Sequence, residues 1–249
     1  PIRTDMGLKI RECFIAKPGH KIISSDYSQV ELRLMAVVAG VKALKEAFNH
    51  GIDIHAATAA KIFGVPADQV DHNLRRHAKT INFGVIYGIS QYGLAKQLGI
   101  SADEAKIYID NYFRQMPEIK AYMEKTIAFA HKNGFVLTPY GRKCFVFGIN
   151  DKNKRISSNA ERAAINAPLQ GGAADIIKMA MNQCLWQLQK GGFKTKMLLQ
   201  VHDELVFEAP DNEVEAIKQL VKETMENVVH FDIPFIAETG SGQNWAEAH

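Results

Sequence analysis

The rhythm of apolar and polar positions changes twice along the chain. The run 21–25 reads as a short strand, and beyond Asp26 the residues Val30, Leu34, Val37 and Val38 follow helical spacing up to Gly40. A long helical stretch comes next. Asp53 is placed to cap a helix over 54–63, stopped by Gly64 and Pro66. Asn73 opens another helix that runs toward Tyr87 and Gly88, and Ser90 starts a short one. Ser101 with Glu104 forms a capping box for a helix to about residue 114, and Pro117 begins a helix ended by Gly134.

Strand patterning then returns. The runs 135–138 and 143–147 flank a Pro139-Tyr140-Gly141 turn and read as a hairpin. Helices over 157–167 and 171–190 are predicted on either side of Pro168, the second ended by Gly191-Gly192. Two apolar runs then join at His202-Asp203-Glu204 as a second hairpin, followed by a helix over 211–229 and a last strand over 233–237. Strands, a helical insert over 53–134, and strands again imply an α+β domain whose sheet carries an inserted helical subdomain.

Composition narrows this only locally. At 249 residues and 47% hydrophobic the chain can build a sizeable core, and its net charge of +3 merely permits a nucleic-acid partner. Residues 72–102, however, contain no Asp or Glu while holding Arg75, Arg76, Lys79 and Lys96. Solvated faces normally mix signs, so a one-sign stretch of this length points to an anionic ligand. Cys13, Cys144 and Cys184 are scattered, without metal-ligand spacing, which suits a reducing compartment. No apolar run approaches the ~20 residues that span a bilayer. A start on Pro1 rather than Met leads us to expect a piece of a longer protein.

The candidate chemistry lies in three places. Asp26 and Asp203 each stand where a strand ends, and carboxylates so raised suit a two-metal phosphoryl-transfer site. Asp26 also reads, with Gln29 three residues on, as a helix N-cap pair, and Glu31 as a solvated helix acid. His202, Asp203 and Glu204 could be simple turn residues, yet His-Asp-Glu is a poor turn former beside Asn-Gly or Asp-Gly, and poor local chemistry at a tip hints at function. Between them, Arg75, Lys79, Phe83 and Tyr87 are each four apart and share a helix face. That face offers two cations for a polyphosphate and then two rings for a stacked base, with Gly84 and Gly88 allowing a planar group close to the backbone. The alternative reading buries both rings in the core and leaves both cations in solvent. The run 159–172, small residues beside polar ones, reads as a tight helix junction.

Taken in order, the runs Asp26 to Arg33, Arg75 to Gly88 and Gln200 to Glu204 resemble the three motifs of the family A DNA polymerases, the bacterial DNA polymerase I type. Pro1-Ile2-Arg3-Thr4, Asp53-Ile54-His55, Ala160-Glu161-Arg162 through Gln170-Gly171, and Gly242-Gln243-Asn244-Trp245 are similar to the same family. The resemblance covers the whole chain. It implies a right-hand polymerase fold: a palm, an antiparallel sheet with packed helices, over 1–52 and 135–249, with helical fingers inserted over 53–134 and the thumb and any exonuclease domains outside these residues.

The resemblance also implies template-directed DNA synthesis in repair and replication, from dNTPs onto a primer 3′-hydroxyl. Two Mg²⁺ ions would be held by Asp26, Asp203 and the Tyr27 carbonyl. Arg75 and Lys79, helped by Gln29 and His55, would grip the triphosphate, with Lys79 also the proton donor to pyrophosphate. Phe83 would pack against the nucleotide and disfavour dideoxynucleotides, Tyr87 would border the template-base pocket, and Glu31 would be the steric gate against a ribose 2′-hydroxyl. Arg162, Asn166, Gln170, Gln200 and His202 would contact primer–template DNA, and Glu204 would lie near the metals without needing to ligate them. Gly172 departs from the pattern, since relatives often have Thr there. The family further implies a monomer, cytoplasmic and associated with the nucleoid, and without the thumb weak binding of primer–template. The alternatives are a single-subunit RNA polymerase, against which Glu31 speaks, a non-catalytic nucleic-acid-binding module, which has no use for paired carboxylates, and a metal-dependent nuclease, which has none for Phe83 and Tyr87.

Overall fold

The computed structural model describes residues 4–249, so residues 1–3 of the run that opens the chain lie outside the described residues. The elements follow in the order α1 (Asp5–Glu12), β1 (His20–Tyr27), α2 (Val30–Val38), α3 (Lys42–Asn49), α4 (Ile54–Phe63), a single 3₁₀ turn (Ala67–Gln69), α5 (His72–Ile86), α6 (Gln91–Leu98), α7 (Ala102–Gln115), α8 (Pro117–Asn133), β2 (Phe135–Leu137), β3 (Lys143–Phe145), α9 (Lys154–Lys190), β4 (Lys196–Val201), β5 (Glu204–Pro210), α10 (Val214–Asn227), β6 (Ala237–Gly242) and α11 (Trp245–Ala248). Two compact units divide the chain: residues up to Val30 with Ala173–His249, and Glu31–Gly172. The second is wider than the stretch 53–134, because α2, α3, the β2–β3 hairpin and the first half of α9 fold with the helices.

In the first unit a four-stranded antiparallel sheet has the order β4-β5-β1-β6. Directly opposed residues share a face, and the register sorts the side chains. Ile23, Tyr27, Leu205 and Phe207 lie on one face and are buried. Tyr27 is tied to α10, its hydroxyl donating to the Met225 carbonyl at 2.6 Å. Helix α10 supplies buried Val214, Ile217, Val221 and Met225, one stripe at helical spacing. The opposite face carries Ile22, Ser24, Asp26, Glu204 and Val206, where Ile22 and Val206 pack with Trp245 and Ala248 of α11.

The last strand differs from the sequence expectation, at Ala237–Gly242 rather than 233–237. Pro234 has no N–H for a ladder, so the apolar run 233–237 reads as a strand but cannot zip through. The segment that pairs with β1 is Ala-Glu-Thr-Gly-Ser-Gly, and its glycines let α11 lie directly on the strand. A Cβ on Gly240 would come 2.4 Å from the Ala248 carbonyl oxygen, and one on Gly242 2.3 Å from the Glu247 Cβ.

In the second unit most caps stand where the sequence puts them. Asp53 accepts from the His55 and Ala56 amides, Ser90 from Gly93, and Ser101 with Glu104 closes a capping box, while Gly64 and Gly134 end helices in the left-handed region. Helix α5 starts at His72 and not at Asn73, because the Asp71 carboxylate takes the Leu74 amide at 2.7 Å. Helix α9 runs unbroken through Pro168, where a break was expected. One missing N–H removes one helical bond out of a 37-residue ladder, which packing on both sides outweighs. The glycines at the end of the run 159–172 are tightly packed, but against the turn of the β2–β3 hairpin where a helix was expected: a Cβ on Gly171 would reach the Thr138 Cγ2 at 2.7 Å, and one on Gly172 the Pro139 Cδ at 3.0 Å.

Candidate active site

Asp26 does not cap a helix. It lies inside β1, opposite Glu204 on one side and Glu238 on the other, and α2 begins only at Val30. Long-range strand pairing therefore won over the local cap. The β4–β5 hairpin closes with a two-residue loop, His202-Asp203, and the Tyr27 amide donates to the Asp203 carbonyl at 3.2 Å. That bond sets the hairpin tip against the end of β1 and brings the Asp26 and Asp203 carboxyls together as hydrogen-bonding neighbours.

Among the described residues only Gln29 and His202 are non-glycine residues at positive φ, 56° and 55°. His202 directly precedes Asp203, and Gln29 follows Asp26 by three residues. Each left-handed residue costs on the order of 1 kcal/mol and persists only where its surroundings fix it. His202 is braced by Gln200, whose amide donates to the His202 carbonyl at 2.6 Å. The poor turn chemistry read in the sequence is thus backbone strain stored at the tip that carries Asp203.

Burial, Asp203, Glu204 and Glu238 push Asp26 up to about 7. Asp203 is also raised by burial, an effect opposed by its own backbone N–H, His202 and its bond with Asp26. Burial and mutual repulsion therefore favour a proton shared between the two carboxyls. Oδ1 of Asp26 is buried with no hydrogen-bond partner. A proton-sharing acid pair with an orphaned buried oxygen fits a divalent cation, which would displace the proton and satisfy that oxygen.

Glu204 is a different kind of acid. Only 3% exposed, it accepts from Ser24 Oγ at 2.6 Å and from the Trp245 indole on one oxygen, and from Arg11 Nη2 at 3.2 Å on the other. The Arg11 guanidinium also stacks 4.1 Å above the Trp245 ring, and Phe14 meets that ring edge-on at 5.5 Å. Glu204 thus ties β5 to β1, α1 and α11, one residue from Asp203, with its oxygens committed to protein donors. The sequence does not reveal this, because Arg11 and Glu204 stand 193 positions apart.

On α5 the four-residue ladder forms as expected. The Phe83 and Tyr87 rings stack with centroids 6.5 Å apart, and Phe83 lies 5.8 Å from the His55 ring. Arg75 is not simply solvated: its Nε donates to Asp53 Oδ2 at 2.6 Å. Asp53 divides its carboxylate, one oxygen capping α4 and the other holding Arg75. Burial would raise the Asp53 carboxyl, but bonds from Arg75, Ala56 and His55 hold it below its ordinary range. His55 is only 2% exposed, and burial with the nearby Lys79 and Arg75 charges, against the pull of Asp53, lowers it to about 4. It is neutral at physiological pH.

Of the residues expected at DNA, Arg162 packs against the end of α5, where a Cβ on Gly88 would come 3.1 Å from its Cγ, and it donates to Asn159. Asn166, one turn on, has a buried Oδ1 without a partner, and Gln170 is exposed on the same helix. Gln200 and His202 belong to the strained hairpin of the first unit. Glu31 is half-buried in the first turn of α2. Arg11 and Glu238 beside the acids of the first unit, and in the second Asp53 as the partner of Arg75 and Asn82 behind His55, are neighbours that sequence reasoning missed. Only Asp53, already visible as a cap, carried a local signal.

The model of DNA polymerase family A matches residues 1–247. DNA polymerase I of Pseudomonas aeruginosa is 48% identical over the whole chain, which spans 27% of that protein, and DNA polymerase I of Streptococcus pneumoniae is 47% identical, the chain spanning 28% of it. The POL domain of Pol1 from M. smegmatis, in complex with DNA primer-template and dNTP, superposes with a TM-score of 0.94 at 41% identity, covering all of this chain and 44% of that one. The chain thus spans a little over a quarter of the length of the two DNA polymerase I relatives. With its motifs in order on a sheet and helices that superpose on a polymerase domain, the chain belongs to DNA polymerase family A.

Proposed function

We propose that this chain carries the nucleotidyl-transfer site of a DNA-directed DNA polymerase. The observation that carries the reading is the Asp26–Asp203 pair, joined through the Tyr27–Asp203 bond and left with an unsatisfied buried oxygen. Asp26, Asp203 and the Tyr27 carbonyl would hold two magnesium ions. When bound, these supply the charge that activates the primer 3′-hydroxyl and stabilises departing pyrophosphate. The 3′-hydroxyl gives up its proton to solvent as its oxygen bonds to the α-phosphorus and the bond to pyrophosphate breaks, and Lys79 Nζ gives a proton to the leaving oxygen. Arg75, Lys79, Gln29 and His55 bind the triphosphate, and Phe83 stacks on the nucleotide beside Tyr87 at the template base.

Glu31 excludes the 2′-hydroxyl of a ribonucleotide. Arg162, Asn166, Gln170, Gln200 and His202 contact primer–template, with the helical stretch 53–134 as fingers and the flanking sheet as palm. The protein works as a monomer on DNA in repair and replication, in the cytoplasm at the nucleoid. No helix among the described residues is long and apolar enough to cross a membrane. Magnesium-dependent primer extension by the full-length protein, beside its Asp26→Asn and Asp203→Asn variants, tests the reading. Robust extension by either variant would sink it. Discrimination between dNTPs and rNTPs that survives Glu31→Ala would remove the steric-gate role.

A further inference from the structure

Beneath the cationic face of α5 is a polar network that its charged residues do not explain. Asn82 is fully buried, and it is flanked by His55 and Thr58 of α4, which are almost as buried. Its amide nitrogen lies 3.1 Å from His55 Nδ1 and 3.1 Å from Thr58 Oγ1, while its oxygen accepts from the Thr58 hydroxyl at 3.2 Å. An amide nitrogen donates and cannot accept, so the imidazole nitrogen facing it must carry a lone pair. A neutral imidazole has one N–H, which places the proton of His55 on Nε2.

The surroundings keep the ring neutral. The charged groups that act on it are Lys79 and Arg75 of α5, which oppose an imidazolium, and Asp53, which is itself engaged by Arg75. A neutral ring with a free lone pair at Nε2 would repel a phosphate oxygen, whereas a neutral ring with Nε2–H donates to it.

We propose that Asn82 is a positioning residue that fixes His55 as its Nε2–H tautomer, so that His55 meets a nucleoside triphosphate as an uncharged hydrogen-bond donor beside Arg75 and Lys79. This rests on the nucleotide-binding reading above. Its second half fails with that reading, but its first half concerns only the ring and is measured without any substrate. Two cations already face the triphosphate there, and a third charge would have to be stored unpaired in a buried site whenever the nucleotide is absent. A donor without charge avoids that cost.

The test is ¹⁵N-detected tautomer assignment of His55 at neutral pH in histidine-labelled protein, with steady-state kinetics of the full-length protein alongside. The expected wild-type spectrum has Nε2 protonated and Nδ1 bare. Asn82→Asp replaces the donor by a carboxylate acceptor, so Nδ1 gains a proton. Where Nε2 gives up its own in exchange, KM for dNTP rises about tenfold, the size of a lost hydrogen bond to a charged group, with kcat changed less. Where the spectrum shows an imidazolium that keeps Nε2–H, the kinetic test passes to Thr58→Val. Thr58→Val, which removes the hydroxyl that orients Asn82 without opening a cavity, gives a mixed tautomer population and a smaller rise in KM. It carries the kinetic test if Asn82→Asp does not fold. A wild-type Nδ1–H tautomer overturns the proposal, as does a tautomer switch that leaves KM unchanged. Normal tautomers and normal KM in both variants of a protein that extends primers would also overturn it. Loss of extension in Asp203→Asn without any change at His55 separates failure of the wider reading from failure of this one.

Discussion

The acidic end of the sheet and the cationic face of α5 are built by opposite means. Asp26 and Asp203 are 177 residues apart and meet only because β1 pairs with β5 along its whole length and the Tyr27 amide closes the hairpin onto it. Arg75, Lys79, Phe83 and Tyr87 are neighbours by helical geometry alone. The first arrangement is strained, with His202 at positive φ and two carboxyls forced together. The second is relaxed and capped. A binding face can be assembled from local propensity, whereas a pair of like charges needs a scaffold strong enough to hold what would otherwise separate.

That contrast is best broken at the acids. Asp26→Asn or Asp203→Asn is expected to lower primer extension by on the order of 10³-fold or more, the scale of removing a principal electrostatic stabiliser, and single-turnover rates would show it. The same Asp26→Asn change should raise the melting temperature in metal-free buffer. The folded-state value near 7 lies above the unfolded 3.8, so the folded chain binds more protons between those limits. Stability is therefore lost as pH rises from about 4 to about 7, and the asparagine removes that loss. Melting temperatures of the two proteins should coincide near pH 4 and diverge at pH 8; curves that stay parallel would show that the pair is not strained.

On the cationic face the expected effect is smaller and appears in KM. Arg75→Ala or Lys79→Ala should cost about 10²-fold in kcat/KM for dNTP, from lost charge-assisted contacts, with little change in melting temperature. Glu204→Ala addresses the scaffold instead: it leaves Arg11, Ser24 and the Trp245 indole without their acceptor and should cost about 3 kcal/mol in urea unfolding, as breaking a buried pair does. The mildest case is Asp53→Asn. Asparagine caps α4 about as well, so the fold should be unaffected, but the exposed pair with Arg75 is lost, and KM should rise by only roughly two- to fivefold.

The legible parts of the molecule were the local ones. Ser101-Glu104, Asp53, Gly64 and Gly134 announce helix ends because the interactions they make span one turn. The register of Arg75 to Tyr87 follows from counting by four. Where long-range packing overrode a local signal, the reading failed: Pro168 did not end α9, Asp26 did not cap α2, and a glycine-rich segment became β6 because α11 needed the space. The site residues divide along the same line. The motif residues were visible as runs, whereas Asn82 behind His55 and Arg11 on Glu204 depend on partners 27 and 193 positions away, which no short window contains.

The two bare positions of β6 give the acid site a vulnerable point that no scan for charged or polar groups would mark. Adding a single methyl at Gly240 would collide with the terminal helix, and that helix carries the indole on which Glu204 leans. The most conservative replacement available would thus disturb the contact that braces Glu204 beside the hairpin tip. At these two positions the absence of a side chain is itself a structural requirement of the sheet that carries Asp26.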